Sequence, residues 1–215
     1  MLTERYGVAK MTTRNALNVL VNEGLVFSRR GAGTFVRDFA PIRRIGIKRL
    51  ARAEWAAGRS IWKTDVRDRP MTLDAVEVYE ADAPTRIGRA LGLEGSGRVW
   101  VRSRRYLVDG KPVQLATSYL PADLVGGSAI TQADPGPGGI YARLADLGHA
   151  PQRFTEELRA RMPMPEEAEQ LGLGTGTPVI TICRTAFAEG GRTVEVNEMI
   201  LDAGSYVLQY DFNAS

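Results

Sequence analysis

The chain has little of the chemistry that disulfides, metal centres and most acid–base catalysts require. Its 215 residues include one cysteine, Cys183, and one histidine, His149. A single cysteine excludes an intrachain disulfide framework and fits a reducing cytoplasm. No cluster of histidine, cysteine and carboxylate residues has metal-ligand spacing. We therefore expect no metal and no cofactor, an inert buried thiol at Cys183, and a packed helix end at His149.

Long apolar runs are also missing. No segment is apolar over the length that a transmembrane helix needs, and no signal-peptide pattern opens the sequence. The apolar fraction of 44% is ordinary for a folded globular chain. These features predict a cytoplasmic protein of one or two domains with no membrane contact.

The net charge of +3 conceals an uneven distribution. Residues 1–60 hold 12 Lys and Arg against 4 Asp and Glu, whereas the remaining residues hold 16 against 21. A basic head on an acidic body is typical of a nucleic-acid-binding unit fused to a sensing unit. Chance clustering of solvated charge is the alternative interpretation.

The basic head has the pattern of the later part of a winged helix-turn-helix. A short helix is predicted to end at Gly7, because glycine suits the left-handed position after a helix. A second helix is predicted from about Thr12 to Glu23, with Thr12 or Thr13 as its N-cap. Two short strands are predicted around the tip formed by residues 31–33.

The polar side chains of this pattern are suited to DNA contact. Recognition helices contact base edges near their start, where Arg14 lies, and a glycine-rich tip lets a hairpin approach the nucleic-acid backbone closely. A solvated amphipathic helix followed by an ordinary hairpin is the alternative. The residues that we expect to contact DNA are Lys10, Thr12, Thr13, Arg14, Asn15, Arg29, Arg30, Gly31, Gly33 and Thr34.

The predicted division of the chain is a DNA-binding domain at 1–38, a linker at 39–65 and a sensing domain at 66–213. Trp55 and Trp62 indicate that part of the linker packs down. Its basic residues either follow DNA phosphates or are solvated. These residues are Arg43, Arg44, Lys48, Arg49 and Arg52.

The body alternates hairpins with short helices, which predicts an α+β fold with an antiparallel sheet. Asp109-Gly110 between two apolar runs is a strong hairpin-turn signal. The predicted strands are 75–79, 99–108, 112–119, 154–161, 178–187, 193–201 and 205–212. The predicted helices are 85–91, 140–147 and 165–171.

One predicted strand carries a candidate anion site. Arg102, Arg104 and Tyr106 alternate and therefore share one face. Two guanidiniums on one face suit a carboxylate or phosphate, which arginine binds bidentately. The alternative is that these arginines pair with acids on a neighbouring strand.

Residues 7–36, with Gly-Val-Ala-Lys-Met-Thr-Thr-Arg-Asn-Ala-Leu and Gly-Ala-Gly-Thr-Phe-Val, closely resemble the GntR family of bacterial repressors. The body, with Arg-Arg-Tyr-Leu-Val-Asp-Gly-Lys-Pro-Val at 104–113 and Thr-Ser-Tyr-Leu-Pro at 117–121, resembles the UTRA effector-binding domain of its HutC subfamily. The resemblance implies a homodimeric repressor of a double-stranded DNA operator, typically a GT…AC palindrome. It also implies a chorismate-lyase-like sheet without catalysis, with Arg14 in the major groove and Gly33 at the wing tip near the minor groove.

The resemblance also places the effector contacts on the strand of Arg102, on the returning strand, and on a late glutamate. The loop residues Gly138 and Gly139, just before the predicted helix at 140–147, offer backbone N–H groups as an anion site, and the family's sugar-phosphate sensors often carry a hydroxyl residue in this turn. A small-molecule effector, anionic in view of the arginines, is therefore expected. Its expected contacts are Arg102, Arg104, Tyr106, Thr117, Ser118, Tyr119, Gly139, Tyr141, Glu195 and Asn197.

Two alternatives to a regulator remain. Family members carry a further helix before the point at which this sequence starts, so Leu17, Leu20 and Leu25 lack partners for a core. Either the start lies upstream, or the chain is a ligand-binding protein whose DNA-binding head does not function. An enzyme of the lyase type is the second alternative, but no acid–base set stands out, since the pairs at 156–157 and 166–167 are expected to be solvated.

Overall fold

The basic head contains two helices and a two-stranded hairpin in the computed structural model. Its elements are α1 (Leu2–Tyr6), α2 (Lys10–Asn22), β1 (Val26–Arg29) and β2 (Gly33–Val36). The two strands are antiparallel, with Arg29 opposite Gly33. Among the head residues whose burial is described, only Val26 is buried. The structure describes residues 2–22, 25–29, 31–36, 41–59, 61–66, 69–93 and 97–212.

Helix α2 begins earlier than predicted, which changes the role of its threonines. Gly7 follows α1 with a φ of +62°, as the sequence predicted. Because α2 starts at Lys10, Thr12 and Thr13 lie inside its first turn, and their prediction as N-caps was wrong. The Thr13 hydroxyl instead donates to the carbonyl oxygen of Ala9 at 3.5 Å. The predicted helix end at Glu23 and Gly24 falls outside the described residues.

The segment that precedes the sheet forms one strand and three short helices. These are β3 (Ile42–Ile45), α3 (Gly46–Arg49), α4 (Arg52–Ala56) and α5 (Lys63–Val66). Trp55 is 2% exposed and Trp62 is 8% exposed, so the prediction that these tryptophans pack down is confirmed. We call residues 41–66 the connecting segment.

The body is built on a six-stranded sheet, antiparallel throughout. Its strands are β4 (Met71–Asp82), β5 (Arg98–Val108), β6 (Lys111–Pro121), β7 (Arg153–Arg161), β8 (Val179–Phe187) and β9 (Thr193–Asp202). The spatial order is β4-β5-β6-β9-β8-β7. The helices of the body are α6 (Thr85–Leu91), α7 (Ala122–Val125), α8 (Gly139–Asp146) and α9 (Pro165–Leu171). A last strand, β10 (Tyr206–Gln209), pairs in parallel with β3 rather than with the large sheet.

The two faces of the large sheet bury different clusters. On one face, Val99 and Val101 pack with Ile87 and Leu91 of helix α6, and we call it the α6 face. The other face packs against Tyr141 of helix α8, against the connecting segment and against β10. We call it the α8 face. Because side chains alternate along each strand, every second residue of β5, β6, β8 and β9 points to the α8 face.

The structure confirms the predicted α+β class with an antiparallel sheet. Helices α6 and α9 begin and end at the predicted residues, and each is followed by a left-handed glycine, Gly92 or Gly172. The predicted strand at 205–212 is shorter, and its partner β3 was not predicted at all. No helix in the described part of the chain is long and apolar enough to span a membrane.

Candidate effector site and nucleic-acid interface

The head presents its predicted DNA-contacting residues on exposed surface. Lys10, Thr12, Arg14 and Asn15 are exposed, and Thr13 is partly buried. Because α2 starts at Lys10, Arg14 lies just beyond the first turn rather than within it. No residue of α2 is buried, so the whole helix surface bearing these side chains is accessible.

The wing tip is shaped by two glycines. Gly31 and Gly33 have φ values of +78° and +114°, a region that residues with a Cβ adopt at a cost. The Thr34 hydroxyl lies 3.0 Å from the Ser28 hydroxyl across the hairpin. Arg30 lies outside the described residues, and the side chain of Arg29 is not described either.

A row of polar side chains crosses five strands on the α8 face. Its members are opposite one another in register, from β5 to β7: Arg102, Ser118, Asn197, Arg184 and Glu156. The first four are each no more than 1% exposed, and the side chain of Glu156 is 8% exposed. We call this set the polar row. Polar groups are buried at such a density only where they bind one another or a polar ligand.

Backbone carbonyl groups hold Arg102 at one end of the row. Its guanidinium donates to the carbonyl oxygens of Ile130, Gln132 and Ala133, the last at 3.0 Å. Burial, with a smaller contribution from Arg104, lowers the pKa of Arg102 to about 10. Arg104 donates from Nη2 to the Ser118 hydroxyl at 2.5 Å. Among the described residues, neither arginine forms an ion pair with an acid on a neighbouring strand. The alternative that these arginines only pair with such acids is therefore wrong.

A carboxylate and a second guanidinium face each other nearby on β8 and β9. Glu195 is 0% exposed and accepts a hydrogen bond from the Tyr141 hydroxyl at 2.6 Å. Nη2 of Arg184 lies 4.0 Å from the same carboxylate oxygen, and Cζ of Arg184 lies 5.5 Å from the centre of the Tyr141 ring. Burial raises the pKa of Tyr141 well above its ordinary value, so this hydroxyl stays a donor.

Several buried polar atoms of this face find no hydrogen-bond partner within the described residues. They are Nε and Nη1 of Arg184, Oε1 of Glu195, Oδ1 of Asn197, Nε of Arg104 and Nε of Arg102. A buried polar atom without a partner costs about 1–3 kcal/mol, so this arrangement fits a polar ligand. The site offers both guanidinium donors and carboxylate and amide acceptors.

The structure brings most, but not all, of the predicted effector contacts together. Tyr106 shares the α8 face with Arg102 but packs in the apolar cluster around Trp62. Gly139 is the first residue of α8 and has a φ of +66°. Thr117 and Tyr119 alternate with Ser118 and point away from it: Thr117 lies 3.3 Å from the Ser103 hydroxyl, and Tyr119 packs in the α6-face cluster.

Two basic residues of the connecting segment are buried. The sequence predicted that such residues either follow DNA phosphates or are solvated, and both alternatives were wrong for these two arginines. Arg44 and Arg49 are 0% exposed. Arg44 donates to both carboxylate oxygens of Glu156. Nη2 of Arg49 lies 3.1 Å from Oδ2 of Asp65, and the Arg49 guanidinium carbon lies 4.3 Å from the centre of the Trp62 ring. The prediction of a solvated pair at 156–157 was therefore wrong for Glu156, whose partner comes from a distant part of the sequence.

Arg184 is the main residue of the site that the sequence did not single out. It stands in an apolar strand, Val-Ile-Thr-Ile-Cys-Arg-Thr-Ala-Phe, between Ile182 and Ala186 on the buried face. A single arginine in the buried register of such a strand was the available signal. Ion pairing or ligand binding is the usual reason for a charge at such a position.

A winged helix-turn-helix joined to a sheet domain with a buried polar face defines the class of one-component DNA-binding regulators. Two family models match the chain: the gntR family of bacterial regulatory proteins over residues 1–36, and the UTRA domain over residues 67–206. The chain belongs to the GntR family and carries a UTRA domain, which confirms the predicted resemblance to HutC-type regulators.

Relatives cover nearly the whole chain. An uncharacterised HTH-type transcriptional regulator of Streptomyces coelicolor is 33% identical over 214 residues, which are 95% of this chain and 79% of the relative. The HTH-type transcriptional repressor NagR of Bacillus subtilis is 27% identical over 195 residues, with coverage of 89% and 74%. The crystal structure of PhnF from Mycobacterium smegmatis aligns with a TM-score of 0.66 at 25% identity, over 99% of this chain and 89% of that chain.

The chain is thus a DNA-binding transcription regulator whose C-terminal domain is of the effector-binding type. The named relatives are transcription regulators and repressors, and the chain aligns with them through both the head and the body. A ligand-binding protein without DNA function is therefore not favoured.

Proposed function

We propose that this regulator is a cytoplasmic homodimeric repressor, and that an anionic small molecule bound at the polar row weakens its hold on a palindromic operator. The observation that carries the proposal is the charge balance of the α8 face. Five arginines and four carboxylates form one charge cluster there, and most of them are buried, so one positive charge lacks an acidic counterpart. The cluster comprises Arg44, Arg49, Arg102, Arg104 and Arg184 with Glu156, Glu195, Asp65 and Asp134.

The unpaired positive charge favours an anion as the effector. Desolvated guanidiniums bind carboxylate and phosphate groups through charge-assisted hydrogen bonds, which are about twice as strong as neutral ones. The unpartnered oxygen of Glu195 adds a requirement for a donor such as a hydroxyl group. A hydroxylated organic anion meets both requirements.

The DNA contacts of the head are proposed to be the exposed residues of α2 and the glycine wing. Arg14 would contact base edges, and the hairpin tip would approach the minor groove. Two heads are needed for two half-sites one helical turn apart, which is why we propose a homodimer. The proposed domain division is a DNA-binding domain at 1–38, a linker at 39–65 and a sensing domain at 66–213.

We propose no catalytic role for the chain. Cys183 lies on the α6 face, away from the polar row, and burial raises the pKa of its thiol, which disfavours the thiolate. The backbone N–H of His149 donates to Leu144 at the end of α8, which places this histidine at a helix end. Glu198 lies opposite Cys183 across β8 and β9, and its negative charge disfavours the thiolate further.

A paired substitution tests the anion site. Arg104 and Arg105 are neighbours on β5 that point to opposite faces, and Arg105 binds Asp74 on β4. The midpoint of thermal unfolding, Tm, would be measured for each variant in the presence of inorganic phosphate, acetate or glucose. We expect phosphate to raise the Tm of the wild-type chain and of the Arg105→Met variant, and to leave the Tm of the Arg104→Met variant unchanged. A phosphate response in the Arg104→Met variant equal to that of the wild type would contradict the proposal.

The regulator function is tested by titrating a GT…AC palindromic duplex at two salt concentrations. Binding should weaken steeply with salt because phosphate contacts release counterions. A scrambled duplex of the same composition is the control. Equal affinity for both duplexes would argue against operator recognition.

A further inference from the structure

The polar row does not end in the sheet but continues into the connecting segment. Glu156, the last member of the row on β7, accepts hydrogen bonds from both terminal nitrogens of Arg44, one of them at 2.9 Å. Arg44 stands on β3, the first strand after the head. The row therefore runs from the site on β5, β6 and β9 to the point where the chain leaves the body toward the DNA-binding head.

Arg184 occupies the middle of this route. It is opposite Glu156 across β7 and β8, and its Nη2 atom lies 4.0 Å from Glu195 on β9. Opposite residues of an antiparallel pair have Cβ atoms about 4.5–5.5 Å apart, and the Arg184 charge stabilises the Glu156 carboxylate through space. The Nε and Nη1 atoms of Arg184 have no hydrogen-bond partner within the described residues. The guanidinium can thus bind an anion on one side while Glu156 lies on the other.

The connecting segment contacts the effector-facing elements at a second place. The Trp55 ring on α4 meets the Tyr141 ring on α8 edge-on, with centroids 6.3 Å apart. The backbone N–H of Gly138, just before α8, donates to the carbonyl oxygen of Gly58 at 3.1 Å. Tyr141 in turn binds Glu195. The connecting segment therefore contacts groups that face the site at β3 and again around α4.

We propose that Arg184 binds the anionic group of the effector, and that Arg184, Glu156 and Arg44 together transmit its occupancy to strand β3. This inference rests on the anion site proposed above. The occupancy of the site is transmitted by electrostatic interactions between these three side chains. With no anion bound, Glu156 is hydrogen-bonded to Arg44 and attracted through space by Arg184, and the two guanidiniums repel each other.

An anion on Arg184 changes this balance in a definite direction. It neutralises Arg184 and leaves Glu156 to Arg44 alone, and the repulsion acting on Arg44 and on the nearby Arg49 falls. Strand β3 is then held more firmly to the body. Stronger attachment of β3 to the body fixes the position from which the head extends. This alters the spacing of the two heads of a dimer on an operator.

Hydrogen exchange on the full chain measures this transmission, with inorganic phosphate as the probe. Peptides that cover β3 should exchange about fivefold more slowly, or slower still, when phosphate is added, which is the low end of ordinary coupling between sites. The same samples give the phosphate response of the Tm. The wild-type response tests the anion site itself, and the variants test the roles of Arg184 and Arg44.

The Arg184→Met variant should lose the Tm response to phosphate and the slowing of exchange at β3. The control is Arg159→Met, which removes an exposed arginine from the neighbouring strand β7 and should preserve both. An Arg184→Met variant that binds phosphate as the wild type does would overturn the assignment of Arg184.

The transmission step needs a variant that leaves Arg184 in place. Removing Arg44 alone would leave the buried Glu156 without its ion-pair partner and endanger folding, so the pair is replaced by Arg44→Met together with Glu156→Met. This double variant should keep the Tm response to phosphate and lose the slowing of exchange at β3. Slowing equal to that of the wild type would overturn the route through Glu156 and Arg44. Absence of any phosphate response in the wild type would instead overturn the anion site on which the route depends.

Discussion

The hydroxyl of Tyr141 donates to Oε2 of Glu195 at 2.6 Å, between a helix and a strand that are 54 residues apart in sequence. Both residues are at most 1% exposed. The bond attaches α8 to the α8 face of the sheet, and the other carboxylate oxygen of Glu195 is buried without a hydrogen-bond partner within the described residues. One hydrogen bond thus serves both the packing of α8 and the orientation of a ligand-binding carboxylate.

The Tyr141→Phe substitution should lower the free energy of unfolding by about 1–3 kcal/mol, because it leaves a buried carboxylate oxygen without its donor. Urea denaturation measures the change. The control is Tyr79→Phe, at a ring that is 48% exposed, where a change within about 0.5 kcal/mol is expected. Similar midpoints for Tyr141→Phe and Tyr79→Phe would mean that the buried bond contributes nothing.

The Gly138→Ala substitution should disturb the contact between α8 and the connecting segment. Gly138 has a φ of +78°, and an added Cβ would overlap the Trp55 carbonyl oxygen and lie 2.6 Å from the Ala142 Cβ. We expect a loss of about 1–3 kcal/mol in stability from strain and displacement. Gly139→Ala is the matched control, since Gly139 has a φ of +66° but open space around its Cβ position. If both variants lose the same stability, backbone conformation alone explains the effect and the close approach does not matter.

The stability of the body should depend on pH through Asp65. Burial raises the pKa of Asp65 to about 6 from an ordinary 3.8, although Arg49 opposes this shift. Because the folded-state pKa is the higher one, the folded form takes up a proton first as the pH falls from 7 to 4. Relative to Asp65→Asn, the wild type should gain roughly 1.4 kcal/mol between pH 7.5 and pH 5, because only the one pH unit below the folded-state pKa falls in this range and one pKa unit is about 1.4 kcal/mol.

Urea denaturation of the wild type and of Asp65→Asn at pH 7.5 and pH 5 measures this dependence. The difference between the two proteins removes the contribution of other carboxylates. The other charges that act on Asp65 are Arg44, Arg184 and Glu156. A difference that is constant with pH would show that Asp65 stays ionised throughout.

The Arg14→Ala substitution should weaken operator binding by about 1–3 kcal/mol and relax discrimination between the palindrome and a scrambled duplex. Fluorescence anisotropy on the two duplexes measures both effects. Arg89→Ala on α6 removes an equally exposed arginine from the body and should leave operator affinity unchanged. Equal losses in the two variants would assign the effect to net charge rather than to base contact.

Local signals predicted much of the body. The bounds of α6 and α9 follow from a threonine or proline at the first helical position and a glycine directly after the last one, which are all local to the helix. The alternation of Arg102 and Arg104 correctly placed both on one buried face. Thr117, Ser118 and Tyr119 were all predicted to contact the effector. Because side chains alternate along a strand, only Ser118 points to the α8 face.

The remaining features depend on contacts between distant parts of the chain. Arg44 and Arg49 stand in a stretch whose sequence looks solvated, and only the tertiary fold supplies Glu156, Asp65 and Trp62 as partners. Arg184 was overlooked because a single charge in an apolar strand gives no spacing pattern. Charge pairing of this kind has no local signature, whereas caps and alternation do.

The parallel pairing of β3 with β10 has a consequence for the order of events during synthesis. The whole six-stranded sheet lies between these two strands in the sequence, so β3 leaves the ribosome long before its partner exists. Such a pairing has high contact order and forms late. The head can complete its local hairpin early, but its attachment to the body waits for the last strand. A nascent chain therefore carries a DNA-binding unit that the sensing domain does not yet control.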